Sequence, residues 1–215
     1  MAKVFIVGGA GKIALRLSKI LAERSHTPSA LHRKPEQAAT IIAQGAVPVQ
    51  GDLTKLTVDE LAGKMAGSDV VVFSAGAGGA GMEVTNAIDG KGLELSVDAA
   101  QKAGVKRFLL VSVFPDALRD GERNEGFENY MRVKKQSDVY LASSALDWVI
   151  VRPGTLTEDA GTGHVRACAA IPYGEIPRDD VAAFLAELID HPAAKKVILE
   201  LTTGNTPVPE WTLNG

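Results

Sequence analysis

Two residues on one stretch carry a plain chemical signal. Tyr130 and Lys134 stand four apart, as Y-x-x-x-K, in a segment from Tyr130 to Leu141 that reads as a helix. Side chains at that spacing share a helix face and can touch the same ligand. An ammonium beside a phenol favours the phenolate, lowering the tyrosine pKa so that it can exchange a proton with a substrate alkoxide. A helix with one tyrosine and several lysines also produces this spacing without any such role, and Lys135 is adjacent. Ser112, closing the apolar run from Arg107 to Val113, is a third candidate. It is placed to polarise a substrate carbonyl, or merely to bond backbone at a strand end.

A second signal lies near the start, in KVFIVGGAGKIALRLSKILAE, Lys3 to Glu23. The run Val4 to Val7 has the length and β-branched content of a buried strand. Gly8, Gly9 and Gly11 follow, and then Ile13, Leu17, Ile20 and Leu21 mark one face of a helix. A glycine turn that opens a helix presents free N–H groups and the positive end of the helix dipole, which suits a phosphate. The spacing is G-x-x-G-x-x-A, from Gly8 through Gly11 to Ala14. Glycine lets the backbone turn tightly and a pyrophosphate approach closely. A turn that binds nothing is the plainer alternative.

The elements that must position these residues alternate in type. Ser29-Ala30-Leu31 reads as a strand ending in His32-Arg33-Lys34. Pro35 starts a helix that Ile41 and Ile42 pack down and Gly45 ends. Val47 to Val49 leads to Gly51-Asp52-Leu53, and Thr57 to Glu60 forms a capping box for a helix with Val58, Leu61 and Met65 on its apolar side. A strand from Asp69 ends in Ser74-Ala75-Gly76, before a glycine loop, Gly78 to Gly81. A long helix carrying Leu93, Val97 and Ala100 stops near Gly104, and Arg107 to Val113 is the next strand. Phe114 to Asn129 reads as polar and irregular. Trp148 to Val151 is a strand ending in Arg152-Pro153-Gly154, Thr155 to Gly163 a loop, and Val165 to Ala169 a short strand. Asp179 or Asp180 caps a helix of Val181, Phe184, Leu185 and Leu188, stopped by His191-Pro192, and Val197 to Leu201 is the last strand. The βαβαβ order predicts an α/β fold, a doubly wound parallel sheet with helices on both faces. Ligands of such sheets bind at the carboxyl ends of the strands. That singles out Gly8, Arg33, Asp52, Ser74 to Gly76, and Ser112.

Arg33 stands where an NAD-binding domain places a carboxylate against the ribose 2′-hydroxyl. A guanidinium there grips a 2′-phosphate instead, which predicts NADP(H), although a solvated charge cluster would look the same. Asp52 is a candidate acceptor for the adenine amino group or a turn-forming aspartate. Cys168 reads as a small buried hydrophobe, and no partner for His164 is evident.

The 215 residues suit one domain, 1–215, and the formal net charge of −3 gives no basis for a general nucleic-acid or membrane-surface binder. With one cysteine no intramolecular disulfide can form, consistent with a cytoplasmic location. The N-terminal apolar run is too short for a signal peptide, and no segment approaches membrane-spanning length. No metal-ligand pattern stands out.

Together VGGAGKIA, GDL, the SAG after the fourth strand, LVS, Y-x-x-x-K and VRPG resemble the short-chain dehydrogenase/reductase superfamily. The resemblance is closest to its atypical members, the NmrA-like and NAD(P)H-binding proteins related to flavin (biliverdin-IX-beta) reductase. AGVKRFLLVSV and PRDDVAAFL extend it over nearly the whole chain. It implies a Rossmann-type fold with a small C-terminal substrate lobe. It also implies cofactor contacts from Gly8, Gly9, Gly11, Lys12 and Ile13, from Arg33, Lys34, Asp52 and Leu53, and from Ser74, Ala75 and Gly76. Lys134, Pro153 and Gly154 complete the set. Tyr130, Lys134 and Ser112 would be catalytic. The chain departs from the family pattern at Val113-Phe114, where a second serine usually stands, and in a longer interval between Ser112 and Tyr130. The reading that follows is an NADP(H)-dependent oxidoreductase, monomeric or a homodimer, acting on a small carbonyl, quinone or flavin. The alternatives are a non-catalytic NADP(H) sensor and a nucleotide-sugar epimerase or dehydratase.

Overall fold

The computed structural model describes residues 1–117 and 124–213. Its first half alternates β1 (Lys3–Val7), α1 (Lys12–Glu23), β2 (Thr27–His32), α2 (Gln37–Ala43), β3 (Val47–Gln50), α3 (Val58–Met65) and β4 (Val70–Phe73). One helical segment then runs through α4 (Met82–Thr85), a π-helical turn (Asn86–Gly92) and α5 (Leu93–Lys102). Next come β5 (Arg107–Val111), α6 (Glu125–Ala142), β6 (Asp147–Pro153), β7 (Thr155–Thr157), β8 (His164–Cys168), β9 (Glu175–Pro177), α7 (Arg178–Asp190), β10 (Val197–Thr203) and β11 (Thr206–Pro207).

The main sheet has the order β3-β2-β1-β4-β5-β6-β10-β8-β11. Every pair from β3 to β10 is parallel, and β8 and β11 join antiparallel at one edge. The chain order reverses between β1 and β4, where such sheets open a crevice at their carboxyl edge. Fully buried strands still alternate sides. Val4 and Ile6 join Leu17 of α1 and Phe184 of α7 on one face, whereas Phe5 and Val7 join Leu61 of α3 and Leu93 of α5 on the other. The fold is the Rossmann-like α/β arrangement that the element order implies. β7 and β9 form a separate parallel pair beside the carboxyl end of β6, the core of the small C-terminal lobe.

Several local expectations need correction. Ile42 is 60% exposed, because α2 covers only the sheet edge and adjacent helical residues point about 100° apart, so Ile41 alone is buried. Pro35 sits in a turn before α2, which begins at Gln37. Thr155 to Gly163 is not all loop, since β7 pairs with β9. α6 starts at Glu125, five residues before Tyr130, because the Asn124 side chain accepts from Phe127 N at 2.8 Å. Residues 118–123 of the segment read as irregular lie outside the described residues.

Asp179 and Asp180 do not cap α7, whose N-cap is Pro177. Both lie in the first turn and hold the preceding loop instead. Asp180 accepts from Thr162 N and Gly163 N, both at 2.9 Å, and Asp179 takes Arg16 of α1 at 2.6 Å. Loop N–H groups without a ladder partner need such acceptors. Cys168 is exposed rather than buried, at the end of the outer strand β8.

Candidate functional site

The turn between β1 and α1 separates its three glycines by function. Gly8 has φ +82°, and a Cβ there would lie 2.6 Å from Ala75 Cα. A Cβ on Gly9 would lie 2.4 Å from the Ala30 methyl. Both glycines are therefore required by the fold itself, through the segment that follows β4 and through β2. Gly11 is different. Its φ of −72° is open to any residue, and its nearest neighbour to an added Cβ is Gly8 O at 3.1 Å. It caps α1 with no side chain, leaving the N–H groups of the first turn uncovered. Ile13 behind it is core, and Lys12 is exposed with its ammonium 2.6 Å from Glu158.

A cleft of about 520 Å³ opens from this turn along the carboxyl edge. It is lined by Gly8 and Gly11, by His32 and Arg33 after β2, by Asp52 and Leu53 after β3, and by Ser74, Ala75 and Gly76 after β4. The structure thus brings these expected residues together. Gly9, Lys12, Ile13, Lys34, Ser112, Tyr130, Lys134, Pro153 and Gly154 are not among its lining. His32 is 4% exposed and bonds the Lys34 carbonyl through Nδ1, while Lys34 N is held by Gln37. Of that basic trio His32 and Arg33 both line the cleft, and Arg33 is the exposed one of the two. The Asp52 carboxyl is held below its usual range by the Thr54 hydroxyl and N–H, then by Lys55 and Arg33. Its first role is to turn the backbone after β3.

A second constellation lies beyond the cleft, at the ends of β5 and β6. Lys134 is 2% exposed, donates to Val111 O at 2.9 Å and lies 3.6 Å from Asp89 Oδ1. Asp89 projects from the π-helical turn, and its other oxygen accepts Ala77 N at 2.9 Å. π-turns inside helices often mark functional sites. Here Gly90 and Gly92 let the turn press against Val133 and Leu53. Ser112 Oγ donates to Asp138 Oδ1 at 2.5 Å, and Asp138 Oδ2 takes Nε and Nη2 of Arg152 at 3.0 and 2.9 Å.

The electrostatics run against one expectation. Burial raises the Tyr130 phenol above its usual range, and the Asp89 and Asp138 carboxylates raise it further. Lys134 does not offset this, because burial lowers its own pKa and its ammonium already serves Asp89 and Val111. Tyr130 stays protonated, and its hydroxyl makes no hydrogen bond among the described residues. No hydrogen bond joins it to Ser112 either. Gly154 is set by packing, since a Cβ there would fall 2.0 Å from Gly174 O. Asp89, Asp138 and Arg152 escaped the sequence reading. Only Asp138 left a signal, four residues beyond Lys134 on the same helix face.

The fold and the glycine-lined crevice define a dinucleotide-binding protein of the Rossmann type. A family model described as NAD(P)H-binding matches residues 8–192, so the chain belongs to that NAD(P)H-binding family, an atypical short-chain dehydrogenase/reductase group. It is 36% identical over 210 residues to the uncharacterized sugar epimerase YhfK of Bacillus subtilis, covering 97% of each chain. Among solved structures, a Bacillus halodurans protein named for an NAD-dependent epimerase/dehydratase superposes with a TM-score of 0.88 at 33% identity, over 97% of both chains. ChuY, an anaerobilin reductase of Escherichia coli O157:H7, shares the fold with a TM-score of 0.78 at 23% identity, over 94% of this chain and 97% of its own.

The cradle fits a dinucleotide phosphate on its own geometry, because Gly11 keeps the approach to the first turn of α1 clear. Gly11→Val should leave the protein folded, with a midpoint of thermal unfolding close to wild type, yet weaken NAD(P)H binding. Overpacking of a tight contact costs about 1–3 kcal/mol, or about 5- to 150-fold in Kd. Fluorescence titration checks it, and wild-type affinity in the folded variant would make the turn purely structural.

Proposed function

We propose that this protein is an NADP(H)-dependent reductase of a small carbonyl, quinone or flavin acceptor. The observation that carries the reading is the exposed Arg33 on the cleft wall after β2, where selection of NAD would call for a carboxylate. Gly8, Gly9, Gly11 and the backbone of Lys12 and Ile13 would hold the pyrophosphate, Arg33 with Lys34 the 2′-phosphate, and Asp52 with Leu53 the adenine. Ser74, Ala75 and Gly76 would flank the chain of the cofactor, and Pro153 and Gly154 its nicotinamide end. NADPH held by these residues would supply a hydride for the acceptor. Tyr130, kept protonated, donates to the acceptor oxygen and releases its proton as charge develops there. Lys134 fixes the end of β5 through Val111 O and, with Asp89, anchors the floor on which Tyr130 and Ser112 stand. The small β7–β9 lobe suits a compact acceptor.

Titrating both cofactors tests the reading. Wild type should bind NADPH more tightly than NADH. Arg33→Ala should lose about 1.5–3 kcal/mol towards NADPH, about 10- to 150-fold, with NADH affinity unchanged. Equal affinities in wild type would remove the basis for NADP(H). The Bacillus subtilis relative named a sugar epimerase and the Bacillus halodurans protein named an epimerase/dehydratase favour a second reading, a sugar epimerase. Acting on a nucleotide sugar, it would oxidise and re-reduce its substrate with no net use of cofactor. Interconversion of nucleotide sugars without net NADPH consumption would identify it.

A further inference from the structure

We propose that Ser112 meets its substrate as a hydrogen-bond acceptor, so that the site selects a carbonyl compound with an O–H or N–H donor beside the carbonyl. This rests on the reductase reading and narrows its acceptor to α-hydroxy ketones and rings with a lactam or imide edge, against simple ketones and plain quinones.

A serine hydroxyl has one proton and two lone pairs. That proton points at Asp138 Oδ1 at 2.5 Å, between residues each 5% exposed. Burial raises the Asp138 carboxyl above its usual range, and the Ser112 hydroxyl and the Arg152 guanidinium oppose that shift and favour the carboxylate. Asp138 cannot turn away, because Arg152 holds its other oxygen through two N–H groups. The main chain at Ser112 is fixed as well, its N–H donating to Val151 O at 2.7 Å, so only a turn about its own Cα–Cβ bond could take the hydroxyl off Asp138. Swinging the hydroxyl proton outward would leave a buried carboxylate oxygen without its donor, which is costly. Ser112 therefore presents lone pairs to whatever occupies the carboxyl edge. A bare carbonyl oxygen against it meets lone pair with lone pair, whereas a neighbouring O–H or N–H completes the chain to Asp138. Tyr130, protonated and with its hydroxyl unpaired among the described residues, supplies the complementary donor for the carbonyl. Ser112 is thus a specificity-determining residue and Asp138 a positioning residue.

The test compares matched pairs on the full-length protein. NADPH oxidation is followed with hydroxyacetone and with butanone. Binding of the unreactive probes 2-pyrrolidinone and N-methyl-2-pyrrolidinone is followed by ligand-observed NMR with NADP⁺ present. Wild type should prefer the donor-bearing member of each pair by about tenfold or more, the effect of one hydrogen bond in a chain ending on a charge. In Asp138→Asn the Arg152 fork retains the amide oxygen, so the NH₂ faces Ser112 and turns its hydroxyl proton outward. The preference should then vanish or reverse. If that variant does not fold, Ser112→Ala must level the preference instead. Equal handling of both members of each pair by wild type overturns the acceptor role and leaves the reductase standing. Selective pyrrolidinone binding by a protein that oxidises NADPH with no acceptor supports the role of Ser112 and removes the reductase reading.

Discussion

Asp89→Ala should lower the stability of this protein by about 3–5 kcal/mol, the usual effect of stripping one partner from a buried ion pair. Lys134 would be left with its ammonium 2% exposed and Val111 O as its remaining close acceptor, and Ala77 N–H would lose its own. Against a typical total of about 5–15 kcal/mol, that is a large share. The loss should depend on pH in a defined direction. Burial already holds Lys134 below its ordinary 10.5, with Asp89 and then Asp138 opposing the shift. Removing Asp89 drives the folded-state pKa lower still. A base whose folded pKa lies below its unfolded one binds fewer protons when folded, so stability rises with pH between the two values. The penalty is full below the folded pKa and fades towards 10.5. Urea midpoints at pH 7 and pH 9 should therefore converge on wild type more at the higher pH. Asp89→Asn, which keeps an acceptor for Ala77, separates the charge from the hydrogen bond. An Asp89→Ala variant as stable as wild type would show that Lys134 does not depend on this pairing.

Tyr130→Phe should reduce kcat for a carbonyl acceptor by about 10²–10⁴-fold, the usual worth of a general acid, with NADPH affinity nearly unchanged. The ring loses only its hydroxyl, so its tilted contact with Phe127, at 6.4 Å between centroids, survives. The pH profile adds a second readout. Reduction needs the protonated phenol, and burial with two carboxylates holds Tyr130 above its ordinary 10. Wild-type kcat should therefore show no falling limb from Tyr130 between neutrality and pH 10. A flavin or quinone acceptor would respond much less to the substitution, since solvent can supply the proton. A protein that binds NADPH, is protected by it against heat and reduces nothing in a broad acceptor screen would be the sensor instead.

The parts of this molecule that sequence by itself determined are those in which neighbouring residues constrain one another. Val4 to Val7, the glycines and the Ile13–Leu17–Leu21 face announce strand, turn and helix within one short stretch, because periodicity and the steric demands of a turn are local. Thr57 and Glu60 cap α3 as their spacing requires, for the same reason. The chemistry of the second constellation was decided by tertiary structure. Y-x-x-x-K places Tyr130 and Lys134 on one face but does not say what faces them. The π-turn that turns Asp89 towards Lys134 depends on how Gly90 and Gly92 pack against α6 and Leu53. Ser112 meets Asp138 across 26 residues, and Asp138 meets Arg152 across 14, only because α6 lies over the ends of β5 and β6. Side-chain type and spacing fix which groups can titrate or donate. Burial and the partners brought together by the sheet decide that Lys134 is a tether, that Tyr130 holds its proton, and that Ser112 offers lone pairs.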